Sequence, residues 1–298
     1  MAKGAVGMIG LGIMGSAMAA NLVRAGFAVH GYDILAARRS ALRRIGGHPA
    51  RSIGDLARLA RVVITSLPGV DALEDVTAQL SVEPRRIVVE TSTLPIEDKV
   101  RSLRSLKRVD SVVLDCPLSG TGAQAKTKDL VVYASGDRAA FAKALPFLRG
   151  FSRSQHYLGA FGNGSRMKFV ANLLVAIHNV SAAEAFVLGM KAGLDPETIL
   201  RVAGDGAGSS RVFQIRGPLM VKGRYQPATM KVEVWQKDMK IIGEFAARLG
   251  CPTPLFSACA PLYNAAMAQG FSAQDTASVC AVLENMARVG PSRRRSRA

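Results

Sequence analysis

The sequence predicts an α/β N-terminal half, a doubly wound parallel sheet, followed by an all-α C-terminal half. Three observations carry that expectation. Short apolar runs alternate with helical patterns as far as about residue 160. Beyond Gly164 the strand patterns stop and only helical periodicity remains. The first strand and helix are joined by Gly10-Leu11-Gly12-Ile13-Met14-Gly15, a glycine spacing that has meaning only in a strand–turn–helix context. With 298 residues the chain is long enough for two domains, and the change of pattern divides it into 1–162, 163–290 and a basic, disordered tail at 291–298.

Taken in order, residues 5–9 form a short apolar strand. An apolar helical stripe through Ala17, Met18, Leu22 and Val23 follows and ends at Gly26. Residues 28–32 form a second strand closed by Asp33, 18 residues past Gly15. Strand, glycines, helix and acid together are the dinucleotide fingerprint of a Rossmann-type sheet. Gly10 permits the tight turn, Gly12 lets backbone approach a pyrophosphate, and Gly15 allows helix to pack on strand. Met14 lies in the helix turn whose amides hold the diphosphate. A carboxylate at Asp33 accepts ribose hydroxyls and repels a 2′-phosphate, so NAD is the expected cofactor. Arg38 and Arg39, shortly after it, leave NADP possible.

The alternation continues. Strands are expected at 62–66, 87–90, 111–115, 130–135 and 156–158, with helices at about 71–80, 96–107 and 139–148. Three loops of unusual composition, Leu67-Pro68-Gly69, Thr91-Ser92-Thr93-Leu94-Pro95 and Cys116-Pro117-Leu118-Ser119-Gly120-Thr121-Gly122, each follow a strand. Ligands of open α/β sheets bind beyond those strand ends. The second half reads as helices at about 164–192, 196–203, 210–217, 230–249, 254–269 and 275–288. A cleft is expected where the halves meet, at the start of the helix that carries Lys168. Asn172 stands four residues beyond Lys168, on the same helical face. Phe169, Val170, Leu173, Leu174, Val175 and Ile177 make the surroundings apolar, and a buried lysine is rarely idle.

Composition narrows the function. Lys and Arg number 39 against 22 Asp and Glu, a formal charge of +17. That charge is spread over both halves rather than gathered in one stripe, so no nucleic-acid partner is expected. No run of 18 uninterrupted apolar residues appears, and no membrane partner is expected. The glycine-broken opening is too short for a signal peptide. Cys116, Cys251, Cys259 and Cys280 show neither a CxxC spacing nor a disulfide framework. A cytoplasmic protein with reduced thiols and no metal site follows.

Four stretches in order resemble the β-hydroxyacid dehydrogenase family, to which the 3-hydroxyisobutyrate dehydrogenases belong. They are GLGIMGSAMAANL (10–22), DCPLSGTGAQAKTKDLVVYASG (115–136), GNGSRMKFVANLL (162–174) and WQKDMKII (235–242). The resemblance implies that Lys168 is the catalytic lysine and that Asn172 orients substrate and supports it. It further implies that Ser119 and Gly120 hold a substrate carboxylate, with Thr121 beside them. It implies as well that Lys237 contacts the cofactor with Asp238 adjacent, that Leu67 and Pro68 line the cofactor cleft, and that Thr93 lies near the nicotinamide. It also implies a homodimer or homotetramer. The sequence departs from the family at Thr121 and Lys128, where glycine is usual.

Oxidation of an alcohol by a nicotinamide needs a base for the hydroxyl proton. Of the four histidines, His30 and His156 fall in strands and His48 in a loop, which leaves His178 as the one rival to Lys168. The function the resemblance implies is NAD(P)-dependent oxidation of a small 3-hydroxy acid, such as 3-hydroxyisobutyrate, or reduction of the corresponding aldehyde or semialdehyde, with Lys168 as the base or acid. The alternatives are the same chemistry on a three- or four-carbon sugar acid and, from another class, a non-catalytic protein that binds dinucleotide or nucleic acid.

Overall fold

The computed structural model describes residues 3–289. The expected basic tail at 291–298 lies outside them. The chain folds as two compact units, Met1–Lys168 and Phe169–Ala298.

In the first unit, β1 (Ala5–Ile9), β2 (Ala28–Tyr32), β3 (His48–Pro49), β4 (Val62–Thr65), β5 (Ile87–Glu90) and β6 (Val112–Asp115) form one parallel sheet in the order β3-β2-β1-β4-β5-β6. The strands are apolar because both faces are covered. Val6, Met8, Val62, Ile64 and Val89 pack on one side and Ile9, Val63, Val88 and Val113 on the other. The connecting helices are α1 (Ile13–Arg24), α2 (Ala36–Arg44), α3 (Ile53–Leu59), α4 (Val70–Leu80) and α5 (Ile96–Lys107). β3 and α3 have no counterpart in the sequence reading. Two paired residues are too short to show a period, although Ser52 caps α3 by accepting from Asp55 N–H at 3.1 Å, a start signal visible in the sequence.

The later strands do not extend this sheet. β7 (Leu118–Ser119), β8 (Val131–Ala134) and β9 (Ser154–Tyr157) form a separate three-stranded sheet, with β7 antiparallel and β9 parallel to β8. The doubly wound sheet therefore ends at β6, and a bridge between Asp115 and Ser135 joins the two sheets. A chain that turns back at Ser119 cannot add a parallel strand beside β6. The short α6 (Gly122–Lys126) fills the β7–β8 connection, and α7 (Arg138–Phe151), capped by Asp137 on Ala140 N–H at 2.7 Å, joins β8 to β9.

The 29-residue α8 (Asn163–Lys191) begins in the first unit and continues through the second. The units divide after Lys168, six residues beyond the boundary expected from pattern, because the first turn of α8 is bonded to the strand ends (below). By length and composition α8 could cross a membrane, and half of its most apolar window is buried inside the protein. The rest of the second unit is helical: α9 (Pro196–Asp205), α10 (Arg211–Lys222), α11 (Val232–Arg248), α12 (Pro254–Ala268), a 3-10 turn (Thr276–Ser278) and α13 (Val279–Ala287). Asp195 with Pro196 starts α9, and Ser210 starts α10 by accepting from Phe213 N–H at 3.0 Å. Val232, Ala266 and Val282 form a core shared by α11, α12 and α13.

Candidate active site

The turn from β1 to α1 is built by its glycines, and each glycine has a different reason. Gly10 has φ +86°, and a Cβ there would overlap the Ser66 carbonyl oxygen at the end of β4. A Cβ on Gly15 would overlap the Gly10 carbonyl oxygen. Gly12 is different. It is the N-cap of α1 at φ −68°, and a Cβ there would meet no protein atom closer than Arg38 Nη1 at 4.0 Å. The protein itself does not need that space empty. No side chain caps the start of α1 and no acid lies in its first turn, so the amides of Ile13, Met14 and Gly15 face a gap that suits a diphosphate. On this evidence the loop fits a dinucleotide.

Asp33 is buried at the end of β2. Its Oδ2 accepts from Leu11 N–H at 2.8 Å and from Arg38 at 3.2 Å, and its Oδ1 accepts from Leu35 N–H at 2.9 Å. Burial disfavours the charge, but the Leu35 and Leu11 N–H groups and the Arg38 guanidinium outweigh it and hold the carboxyl below the usual aspartate range. Asp33 thus fixes the dinucleotide loop through Leu11. Arg39 bonds the Asp33 carbonyl and lies 5.7 Å from the Tyr32 ring, which leaves Arg38, with about half its side chain exposed, as the cation nearest Gly12.

The loops after β4 and β5 are tied together, since Leu67 N–H donates to Ser92 Oγ at 2.8 Å. Leu67 is half-buried, Pro68 is exposed and Thr93 is half-buried. The loop after β6 comes against the dinucleotide turn, where a Cβ on Gly122 would overlap Ile13 Cγ2 at the start of α1. Ser119 pairs with Val131, and Gly120 sits at φ +131° with Leu130 Cδ2 only 2.6 Å from where a Cβ would be. Thr121 has a structural task of its own. It is the N-cap of α6, and Gln124 Oε1 accepts from its N–H at 3.0 Å. Lys128 is exposed at φ +64° and ends α6: its N–H bonds Ala125 O at 3.2 Å, and Asp129 N–H bonds Gln124 O at 2.8 Å. That is a Schellman ending, whose left-handed position ordinarily takes glycine.

Lys168, only 8% exposed, lies at the end of the first two turns of α8. Those turns are anchored by Asp115. Its Oδ2 accepts from Ser165 N–H at 2.7 Å and from Ser135 at 3.2 Å, and its Oδ1 accepts from the Ser165 hydroxyl at 2.7 Å. Gly164 N–H donates to Ser135 Oγ at 2.9 Å, and a Cβ on Gly164 would overlap the Tyr133 carbonyl oxygen. Behind Asp115 stands Lys99, fully buried, 2.8 Å from Asp115 Oδ1 and 2.6 Å from Glu90 Oε2. Burial alone would push this ammonium down; Asp115 and Glu90 outweigh it and raise it above the usual lysine range. Cys116, beside them, is fully buried next to Asp115, and burial with that neighbour pushes its thiol well up.

In the helical unit, Asn172 lies one turn beyond Lys168 on α8 and is buried. Its Nδ2 donates to Asp238 Oδ2 on α11 at 2.8 Å, while Lys237 Nζ lies 4.0 Å from Asp238 Oδ1 and is partly exposed. His178 is half-buried, ten residues beyond Lys168 on α8, and His156 is exposed on β9. Among the described residues, no cluster of His, Cys, Asp or Glu is arranged to hold a metal.

The sequence reading missed the Glu90–Lys99–Asp115 group and the part played by Ser165. A signal existed. Glu90 and Asp115 each end a wholly apolar strand, and Lys99 falls on the buried stripe of α5 with Ile96, Ser102 and Leu106. A charge on a buried stripe needs a partner, and two carboxylates at strand ends are the partners available.

Comparison with known proteins covers both units. Residues 5–159 match the family model described as the NAD-binding domain of 6-phosphogluconate dehydrogenase. Residues 162–283 match that of the NAD-binding domain of NADP-dependent 3-hydroxyisobutyrate dehydrogenase. L-threonate dehydrogenase of Cupriavidus necator is 32% identical over 92% of this chain and 94% of its own length. The 2-hydroxy-3-oxopropionate reductase of Escherichia coli is 30% identical over 95% of this chain and 98% of its own length. Among solved structures, 3-hydroxyisobutyrate dehydrogenase of Salmonella typhimurium superposes with a TM-score of 0.84 at 27% identity, covering 93% of this chain and 99% of the other. With a dinucleotide turn that leaves room for its ligand and family models matched across both units, the chain belongs to the 3-hydroxyisobutyrate dehydrogenase-like β-hydroxyacid dehydrogenases, a family of NAD(P)-dependent oxidoreductases.

Proposed function

We propose that this protein interconverts a three- or four-carbon hydroxy acid and its oxo form, with Lys168 moving the proton. The observation that carries the reading is the placement of Lys168. It is a buried lysine on a helix whose start is bonded to the end of β6, within the unit that holds the dinucleotide turn. The L-threonate, 2-hydroxy-3-oxopropionate and 3-hydroxyisobutyrate in the relatives' names are all three- or four-carbon acids, which supports the size of the substrate.

When bound, the dinucleotide supplies the two-electron acceptor in oxidation and the donor in reduction. The rest of the work falls to the chain. The Gly10–Gly15 turn holds the diphosphate with backbone, and Asp33 faces the adenosine ribose. Arg38 supplies a cation beside it, so both NAD and NADP are to be tested. Ser119, Gly120 and Thr121 grip the substrate carboxylate through a hydroxyl and main-chain N–H groups. Lys168 as neutral amine takes the carbinol proton in oxidation, and as ammonium returns it in reduction. Asn172, locked by Asp238, orients the substrate oxygen toward it. The family resemblance assigns Lys237, on α11, to the dinucleotide. Val170, Leu174 and Leu188 stay exposed along α8, which supports a homo-oligomer.

The test is a screen of 3-hydroxyisobutyrate, L-threonate, glycerate and related acids with NAD and NADP, in both directions. Lys168→Ala is expected to keep its dinucleotide affinity and to lose about 10²–10⁴-fold in turnover. Turnover within a few-fold of wild type would remove Lys168 from the mechanism.

A further inference from the structure

The Glu90–Lys99–Asp115 group is a costly thing to bury, and its geometry shows where its effect is directed. Glu90 and Asp115 are register partners on adjacent parallel strands, 1% and 0% exposed, so two carboxylates face the same buried space. Like charges placed so close repel unless a cation stands between them. Lys99 supplies it from α5. The ammonium donates to Asp115 Oδ1 at 2.8 Å and to the Ser92 carbonyl at 2.7 Å, and pairs by charge with Glu90 Oε2 at 2.6 Å. Glu90 Oε1 accepts from Ser92 N–H at 2.8 Å, and Ser92 Oγ in turn holds Leu67 N–H. The cluster therefore fixes both loops that follow β4 and β5.

Its other side faces α8. The Asp115 carboxyl stands at the N-terminus of α8, where an acidic side chain is favourable. Asp115 takes both the N–H and the hydroxyl of Ser165, which fixes the helix in translation and in rotation about its axis. Lys168 follows three residues later on the same rigid turn, so its reach is set by where Ser165 is held.

We infer that Glu90, Lys99, Asp115 and Ser165 are positioning residues for the proton-transfer step, holding the Lys168 end of α8 in register with the strand-end loops. The inference rests on the proposed role of Lys168. The cluster holds three rigid elements, β5, β6 and α5, and passes their fixed geometry to the helix end by two hydrogen bonds. A misplacement of about 1 Å at a catalytic group costs on the order of 10²-fold in rate, which is the gain from anchoring this turn so firmly.

The test uses the full chain, with Asp115→Asn and Ser165→Ala as the variants. The control is Ser102→Ala, which removes a buried hydroxyl on α5 that bonds Thr77 at 2.7 Å and has no tie to α8. Turnover is read on 3-hydroxyisobutyrate or L-threonate, whichever the wild type uses faster. Amide exchange over residues 163–168, read on the protein alone, needs no substrate. Asp115→Asn offers one acceptor where Lys99 and Ser165 need two, and is expected to lower kcat by about 10- to 100-fold at unchanged dinucleotide Kd. Ser165→Ala loses the hydroxyl and keeps the N–H, for a drop of roughly five- to tenfold. Both are expected to speed exchange over 163–168 by about tenfold or more and to leave residues 13–24 unchanged. Ser102→Ala lowers the melting temperature without either effect, which separates positioning from mere stability. If Asp115→Asn does not fold, Ser165→Ala carries the test alone. Folded variants with exchange unchanged over 163–168 and kcat within about twofold of wild type overturn the inference, even with Lys168→Ala inactive. An active Lys168→Ala instead overturns the role of Lys168, with the exchange result still reporting whether the cluster holds the helix.

Discussion

The two units hold their functional groups by different means. In the nucleotide unit the dinucleotide turn is built from backbone: glycines that clear two carbonyl oxygens, and amides at the start of α1. In the helical unit it is done by side chains meeting across helices, with Asn172 of α8 held by Asp238 of α11, 66 residues away in the chain. A backbone site is specified by local spacing and tolerates little change. A side-chain site is specified by helix packing and can be loosened one atom at a time.

The sharpest way to break that comparison is inside the glycine turn itself. Gly15→Ala places a methyl on the Gly10 carbonyl oxygen, and is expected to cost about 3 kcal/mol or more of stability. Gly12→Ala meets no protein atom closer than Arg38 Nη1 at 4.0 Å, at a φ of −68° that alanine adopts freely, so stability should stay within about 0.5 kcal/mol. Its methyl fills the space left for the diphosphate, and dinucleotide Kd should rise on the order of 100-fold. Thermal melts and dinucleotide titrations of the two variants check this. A Gly12→Ala protein that binds dinucleotide normally would mean that the turn does not hold the diphosphate.

That contrast also explains what was legible in the sequence. The GxGxxG turn, Asp33 and the strands β1, β2, β4, β5 and β6 were readable because spacing along the chain encodes them, whereas the two-residue β3 was not. The second sheet was not, because β7 and β9 take their partners from β8, and a two-residue strand such as Leu118–Ser119 has no periodicity to detect. Lys168 and Asn172 were readable from helical spacing, but their supports were not. Asp115 and Lys99 lie 16 residues apart and meet only when α5 packs against β6, and nothing local announces that Asp115 caps a helix 50 residues further on. Thr121 has a further task that its spacing did not announce: it is the N-cap of α6, with its N–H held by Gln124 Oε1.

In the helical unit the corresponding test is Asp238→Ala. It leaves the buried Asn172 amide without its Asp238 acceptor, and should cost about 1–3 kcal/mol of stability. With Asn172 free to change rotamer, kcat should fall roughly tenfold. Asp238→Asn keeps an oxygen in place of Oδ2 and should recover most of the stability. Melts and steady-state rates on the same preparations decide it. A stable, fully active Asp238→Ala would show that Asn172 is held by packing alone, and the distinction between the units would weaken.

The smallest effect lies where backbone and side chain compete, at Lys128. Its φ of +64° puts an L-residue in the left-handed region at the end of α6, at a cost of about 1–2 kcal/mol. Lys128→Gly removes that cost and loosens the unfolded chain by about 0.4–1 kcal/mol in the opposite direction. The net is a stabilisation under about 1 kcal/mol, seen as a rise of roughly 2 °C in Tm. The ammonium is exposed, so the acid substrate should be turned over as before. A fall in kcat/KM confined to the hydroxy acid, with dinucleotide Kd unchanged, would show instead that the Lys128 cation reaches the substrate carboxylate. The left-handed strain at this position would then be kept because it places a charge.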